Sequence, residues 1–241
     1  MLGHTIKVVR GVAVTGLIVS FFMQPVSALE DDAVYYQFRA DRFEYGATDE
    51  NDILFWDARG WIGNDDHKVA FKSEGERVVH GKLENAELAL LYQRPIARFF
   101  DLQAGLRHDF RPRPTRTFGV IGLQGLAPYW FEVDANLYLS EKGDLSARLE
   151  AEYELLLTQR LIFEPAVELN VAFTDDEPTG VGSGFNQLEL GFRLRYEIRR
   201  EFAPYIGIHW EKRLGDTADL ARQQGEDVDN LFLVAGLRFW F

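Results

Sequence analysis

The chain has 241 residues, 46% hydrophobic and 14% aromatic, enough apolar material for one folded domain, which excludes a disordered or collagen-like polypeptide. It contains no cysteine, so a disulfide framework, a cysteine zinc site, an iron–sulfur cluster and a thiol nucleophile are excluded together. Lys and Arg number 26 against 38 Asp and Glu, for a formal net charge of -12; with no basic surplus to neutralise phosphates, nucleic acid is not an expected partner, and cations are.

The first predicted element is an address. Lys7 and Arg10 give a positive start, Gly11 to Met23 form an uncharged apolar stretch, and Gln24-Pro25-Val26-Ser27-Ala28 closes on small residues. This pattern predicts a secretory signal peptide over residues 1–28, cleaved after Ala28, and a mature domain over 29–241. A membrane anchor needs ~20 spanning residues, more than this apolar stretch supplies. Cleavage removes two basic residues and no acidic one, together with Met1 and Met23, the only methionines. Any metal site in the mature chain therefore has to manage without sulfur.

From there to the end, apolar and polar residues alternate with period two. Weaker segments come first, at 34–45, 53–62, 67–76 and 83–93, and the phase slips near Arg42, which predicts a bulge. Phe100, Leu102, Ala104 and Leu106 then oppose Asp101, Gln103, Gly105 and Arg107. After a segment at 117–126, the row Tyr129, Phe131, Val133, Ala135, Leu137, Leu139 opposes Trp130, Glu132, Asp134, Asn136, Tyr138, Ser140. Next, Leu145 to Leu155 in steps of two oppose Ser146, Arg148, Glu150, Glu152, Glu154, Leu156. A segment at 161–173 precedes Leu188 to Ile198, opposed by Gln187, Glu189, Gly191, Arg193, Arg195, Glu197. Segments at 204–213 and 231–241 finish the chain. The apolar rows of the four strongest segments hold no charge, while their opposite rows hold twelve, so these are strands with one greasy face. No helical face is evident after residue 28.

The count is about twelve strands of roughly ten to thirteen residues, against the ~5–6 usual in soluble sheets and the ~9–11 that cross a bilayer at a tilt. Alternate links are tight, as at 63–66, 94–99, 127–128, 157–160 and 199–203, and the others are longer or more polar, as in membrane barrels with short turns at one end and loops at the other. Trp61, Phe99, Phe100, Tyr129, Trp130, Phe202, Tyr205, Phe239, Trp240 and Phe241 gather at the short-turn end, which predicts an interfacial girdle. A lipocalin-type barrel would bury the apolar rows instead. Strand length and the ending Leu237-Arg238-Phe239-Trp240-Phe241, an exposed aromatic terminus, favour the membrane. The expected fold is therefore all-β: a transmembrane antiparallel up-and-down β-barrel in the outer membrane of a Gram-negative bacterium, in contact with outer-membrane lipid.

Such a barrel closes so that no backbone edge meets lipid, and its polar rows line the lumen. Glu132, Asp134, Glu150, Glu152, Glu154, Glu164 and Glu168 are expected there as an acidic lining that attracts cations, although cross-strand ion pairing alone also accounts for them. Four histidines remain in the mature chain: His67, His80, His108 and His209. None has the spacing of a local metal motif. Strand parity points His209 inward with Glu211 beside it, and sends the sequence neighbours His108 and Asp109 to opposite faces. His108, Asp109, His209 and Glu211 are the candidate metal ligands. The rival readings are a general pore or structural barrel and a rim hydrolase using Ser140 or Ser146, for which the spacing supplies no neighbouring base.

The stretches 101–112, 124–135, 150–161 and 194–205, which include Arg107-His108-Asp109, Ala127-Pro128-Tyr129-Trp130, Glu150-Ala151-Glu152-Tyr153-Glu154 and Glu201-Phe202-Ala203-Pro204-Tyr205, resemble the copper resistance protein B family of Gram-negative outer membranes. The resemblance covers nearly all of residues 33–241. It implies a non-enzymatic barrel of copper resistance that binds copper ions or lets them leave the periplasm, alongside a periplasmic multicopper oxidase. Arg107-His108-Asp109 matches one family motif, and His209-Trp210-Glu211 another in which the family has a Trp-Glu pair. Many members carry a Met- and His-rich N-terminal extension; here Glu30-Asp31-Asp32 leads directly into the first strand, which shifts the expected copper role toward the lumen.

Overall fold

The structure, a computed structural model, describes residues 33–48 and 52–241; the expected signal peptide lies outside the described residues. Twelve strands form one ring. They are β1 (Tyr35–Ala47), β2 (Ile53–Gly63), β3 (Lys68–Val78), β4 (Leu83–Ala97), β5 (Phe100–Arg111), β6 (Arg116–Ala127), β7 (Phe131–Ser140), β8 (Leu145–Glu152, resumed at Leu155–Leu156), β9 (Leu161–Ala172), β10 (Gly184–Tyr196), β11 (Phe202–Arg213) and β12 (Asp229–Trp240). Each pairs antiparallel with its neighbours in sequence, and β12 returns to β1, with Arg39 opposite Trp240 and Tyr45 opposite Ala235. The ring leaves no free edge, which is what a spanning sheet requires. The last residue is tied in as well: Phe38 and Phe241 exchange both backbone hydrogen bonds at 3.0 Å.

Alternation sorts the side chains as expected. On β7, Leu137 and Leu139 face outward, whereas Asp134 and Asn136 are buried inside the ring. On β11, Ile206 and Ile208 face outward and Tyr205 and His209 inward. The bulge expected near Arg42 lies between Ala40 and Arg42. β8 breaks at Tyr153 and Glu154, where a single strand is expected, because they run opposite Pro165 of β9, which has no N–H to give the ladder. The surviving bond is Tyr153 N–H to the Pro165 carbonyl, 3.1 Å.

Three local features depart from the sequence expectation. A helix, α1 (Gly215–Gln224), occupies the loop between β11 and β12, where no helical face is evident; only Thr217, Ala218 and Ala221 are buried, so its apolar face is too small to register as a periodic signal. Its stop is legible, since Gly225 takes the left-handed conformation and returns its N–H to the carbonyls of Ala221 and Arg222. Next, Trp61 and Tyr205 do not join the girdle. Trp61 faces the lumen and donates to Gln37 Oε1 at 3.2 Å, and Tyr205 is buried. Finally, Tyr129 and Trp130 fall outside β7, in a turn (Pro128–Trp130) in which both have φ of 68°. Both rings are exposed at the short-turn end, where a headgroup layer suits them.

Candidate functional site

Among the described residues, two cavities in the lumen have no lining residue in common. The outer one, at the long-loop end, has about 1310 Å³ of open space and is lined by Glu74, Glu76, Asp109, Glu168, Glu189, His209 and Glu211 among others. The inner one, at the short-turn end, has about 1270 Å³ and is lined by Arg39, Arg59, Trp61, Glu132, Asp134, Glu150 and Glu152 among others.

Ion pairs cross the ring between them. Arg148 of β8 reaches Glu87 of β4 at 3.0 Å and Glu74 of β3 at 3.3 Å, and Lys72 of β3 pairs with Asp134 of β7. Arg193 of β10 donates to Glu44 of β1 at 2.7 Å. Other pairs run along the wall instead: Arg59 of β2 lies 3.1 Å from Asp57 on its own strand and 2.7 Å from Asp41 of β1. Gln103 Nε2 donates to Asp134 and Asn136 at 2.7 and 2.6 Å. An apolar cluster of Ala70, Ala89, Leu91, Val120 and Tyr138 fills the wall formed by β3 to β7. Arg107 sits against it, 4.1 Å from the centre of the Tyr138 ring.

The opposite wall is acidic. Asp134 on β7 is opposite Glu150 on β8, Glu150 opposite Glu168 on β9, Glu168 opposite Glu189 on β10, and Glu189 opposite Glu211 on β11. Five carboxylates thus stand on five consecutive strands in one cross-strand row. Barrel strands tilt, so a row perpendicular to them climbs the axis; four steps of ~4.8 Å at a tilt of ~40° rise roughly 12 Å. Consistent with this, Asp134 and Glu150 line the inner cavity and Glu168, Glu189 and Glu211 the outer one. Like charges directly opposite one another are unfavourable, by roughly 0.2–1 kcal/mol per pair. Relief is partial: Lys72 meets Asp134, Arg148 lies 3.3 Å from Glu168, and Asn230 donates to Glu211 at 2.7 Å. Glu150 makes no ion pair or hydrogen bond among the described residues. The row therefore sets five acidic side chains, with Lys72 and Arg148 as their cationic partners, along one side of the lumen.

The sequence-predicted ligands are brought together only in part. His209 is 4% exposed, packed edge-on to Phe55 at 5.3 Å and tilted to Phe232 at 5.9 Å. Its Nδ1 has no hydrogen-bond partner and its Nε2 lies 3.4 Å from Glu189, so Glu189 on the adjacent strand, rather than Glu211 on its own, is the carboxylate beside it. Asp109 faces inward, accepting from Arg107 at 3.0 Å. His108 sits on the opposite face, its Nδ1 2.9 Å from Thr117 Oγ1, away from the other three. Among the described residues, no group of three or more His, Asp or Glu side chains is arranged to hold a metal ion. Of the expected acidic lining, Glu132, Asp134, Glu150, Glu152 and Glu168 line the cavities, while Glu154 and Glu164 are held by Arg195 and Arg238 at the short-turn end. Glu44, Asp57, Glu74 and Glu87 are lumen carboxylates that the weak alternation of the first four strands conceals; on β3 the polar row Lys68, Lys72, Glu74, Glu76 was the available signal.

A closed antiparallel ring with an apolar exterior and a charged interior is a porin-like transmembrane β-barrel. The NanC porin has the same kind of fold, with a TM-score of 0.53 at 14% identity over 85% of this chain and 99% of that one. The family profile described as copper resistance protein B precursor (CopB) matches residues 34–241, and the chain belongs to that family. It is 44% identical to copper resistance protein B of Escherichia coli over 214 residues, 89% of this chain and 72% of that protein. It is also 43% identical to a copper resistance protein B homolog of Pseudomonas syringae pv. tomato over 213 residues, 88% of this chain and 72% of that one.

Proposed function

We propose that this protein is a non-enzymatic barrel of the Gram-negative outer membrane that binds copper ions in its lumen and lets them leave the periplasm. The observation that carries the proposal is the in-register row Asp134, Glu150, Glu168, Glu189, Glu211, which runs from the inner cavity to the outer one. Successive carboxylates offer a cation several weak stations instead of one deep trap, as conduction requires. Copper is cargo here. His209 adds the one imidazole on the path, and with Glu189 and Glu211 it makes the stretch best suited to a borderline ion. Asp109, also lining the outer cavity, contributes charge at the mouth, and His108 contributes nothing to the lumen. Outer-membrane lipid covers the apolar exterior. The multicopper oxidase partner rests on the family resemblance.

A general solute pore is the weaker reading because Arg148 and Lys72 bridge the ring at mid-height. The rim hydrolase is weaker at Ser140, whose Oγ donates to Asp144 at 2.8 Å rather than to a histidine. The proposal is tested in vesicles enclosing a copper-responsive dye. Intact barrel should carry copper inward, and the double variant Glu150→Gln, Glu189→Gln should abolish most of that flux while leaving the barrel folded. Equal flux in both proteins rejects the row as the path. In cells, deletion should alter copper sensitivity and complementation should restore it.

A further inference from the structure

The loop joining β9 to β10, residues 173–183, does not project from the barrel. It closes on itself through a 3₁₀ turn (Glu177–Thr179), with Asp176 N–H donating to Val181 O at 2.8 Å and Thr179 N–H to Asp176 O at 2.9 Å. Asp176, Thr179 and Val181 line the outer cavity together with His209 and Glu211, so the loop roofs the vestibule. Its stem is tied to β8, where Phe173 N–H donates to Leu145 O at 2.8 Å and Leu145 N–H to Thr174 Oγ1 at 3.0 Å, and beyond the stem two fastenings hold it there. Arg116, at the start of β6, donates from Nε and Nη2 to both oxygens of Asp176 at 2.9 and 2.8 Å, with β7 and β8 lying between the two attachment points. On the other side, Gly182 N–H donates to Thr217 Oγ1 of α1 at 2.8 Å. A Cβ on Gly182 would stand 2.5 Å from Asp216 Cβ, so only glycine lets the loop seat on the helix this closely.

We propose that residues 173–183 form a lid over the outer vestibule, latched by the Arg116–Asp176 fork and seated on α1 through Gly182. The fork is bidentate and charge-assisted, and both side chains are largely buried, so it is strong while shut. It is also a single pair at a water-facing mouth. When it parts, both ions regain solvent, and opening needs no apolar core to be broken. Gly180 at φ 78° and Gly184 at φ 101° flank the seat and supply the backbone freedom a swinging segment needs. The lid gives the copper path proposed above an outer gate, but its existence does not depend on copper.

The absence of native cysteine makes the test direct. Gln187→Cys places a thiol in the outer vestibule and Gln124→Cys places one in the inner cavity. Each is labelled with a charged methanethiosulfonate in three backgrounds: unaltered lid, Asp176→Asn, and Gly182→Val. Both lid variants should speed labelling at position 187 about tenfold, the shift in open population expected from losing one charge-assisted pair, and leave position 124 unchanged. Equal rates at 187 in all three backgrounds overturn the lid, and so does a matching rise at 124, which would report general loosening of the barrel. Heat-modifiable gel mobility identifies folded barrel in each sample. No copper is present, so failure of the copper path leaves this result standing.

Discussion

Arg193 and Glu44 are 4% and 1% exposed and face each other across the lumen from β10 and β1. A buried pair of this kind contributes little against an apolar pair of equal volume, yet removing one member strands the other charge without water or partner. Glu44→Gln should therefore destabilise the barrel by about 3–5 kcal/mol, and the paired change to Glu44→Leu with Arg193→Met should recover most of it. Denaturant midpoints of the refolded barrel in detergent decide this; a cost for Glu44→Gln below that of an ordinary surface change contradicts the assignment. His209 poses the complementary question, since its Nδ1 is buried without a hydrogen bond. If it is a copper ligand, His209→Ala weakens copper binding in a titration, and Glu189→Gln weakens it more than His108→Ala, which should do nothing. Strand parity alone puts His209 in the lumen. It does not place Glu189 beside it, because inter-strand register is set by turns and closure, and neither is written in a single strand's alternation.

At the scale of elements, the same limit explains the carboxylate row. Each acidic residue from β7 to β11 is visible as polar within its own strand, but their alignment becomes visible only when the ladders are paired. Alternation within a strand places Glu150 and Glu168 in the lumen but carries no trace of a five-strand row. Alignment of like charges is unfavourable, so the row is a place where the folded barrel gives up stability. Glu150→Gln should consequently act in opposite directions on two measurements. It removes one charge facing Asp134 and Glu168, so unfolding should become harder by roughly 0.2–1 kcal/mol. Cation binding in the lumen should weaken at the same time. A variant that loses both stability and binding would make Glu150 structural. α1 and the folded-in loop were hidden for a different reason: each buries only a few small side chains, which leaves no periodic trace, and each is fixed by single polar contacts from residues distant in sequence, such as Arg116 to Asp176.

For the molecule as a whole, the governing fact is that its charge is inside and its apolar surface is outside, and yet the inside is not an open tube. Arg148 is the principal crossbar: it spans from β8 to Glu87 on β4 and Glu74 on β3, and also touches Glu168 in the carboxylate row. With ion pairs crossing the lumen at that height, ions in planar bilayers should pass far more slowly than through a water-filled porin, whose lumen is unobstructed. Arg148→Ala takes away the crossbar and leaves Glu74 and Glu168 without an ion-pair partner around the gap, while Glu87 keeps Arg107 at 3.6 Å. Two changes should then appear together. Conductance should rise because the constriction widens, and the reversal potential in a salt gradient should move toward that of a cation-selective path, because the residual charge at mid-height turns more negative. Added salt should shrink the second effect and spare the first, since screening weakens selectivity but does not close an opening. A barrel that already conducts like an open porin before Arg148 is changed would mean that the ion pairs do not obstruct the lumen, and that cations pass by some route other than the acidic wall.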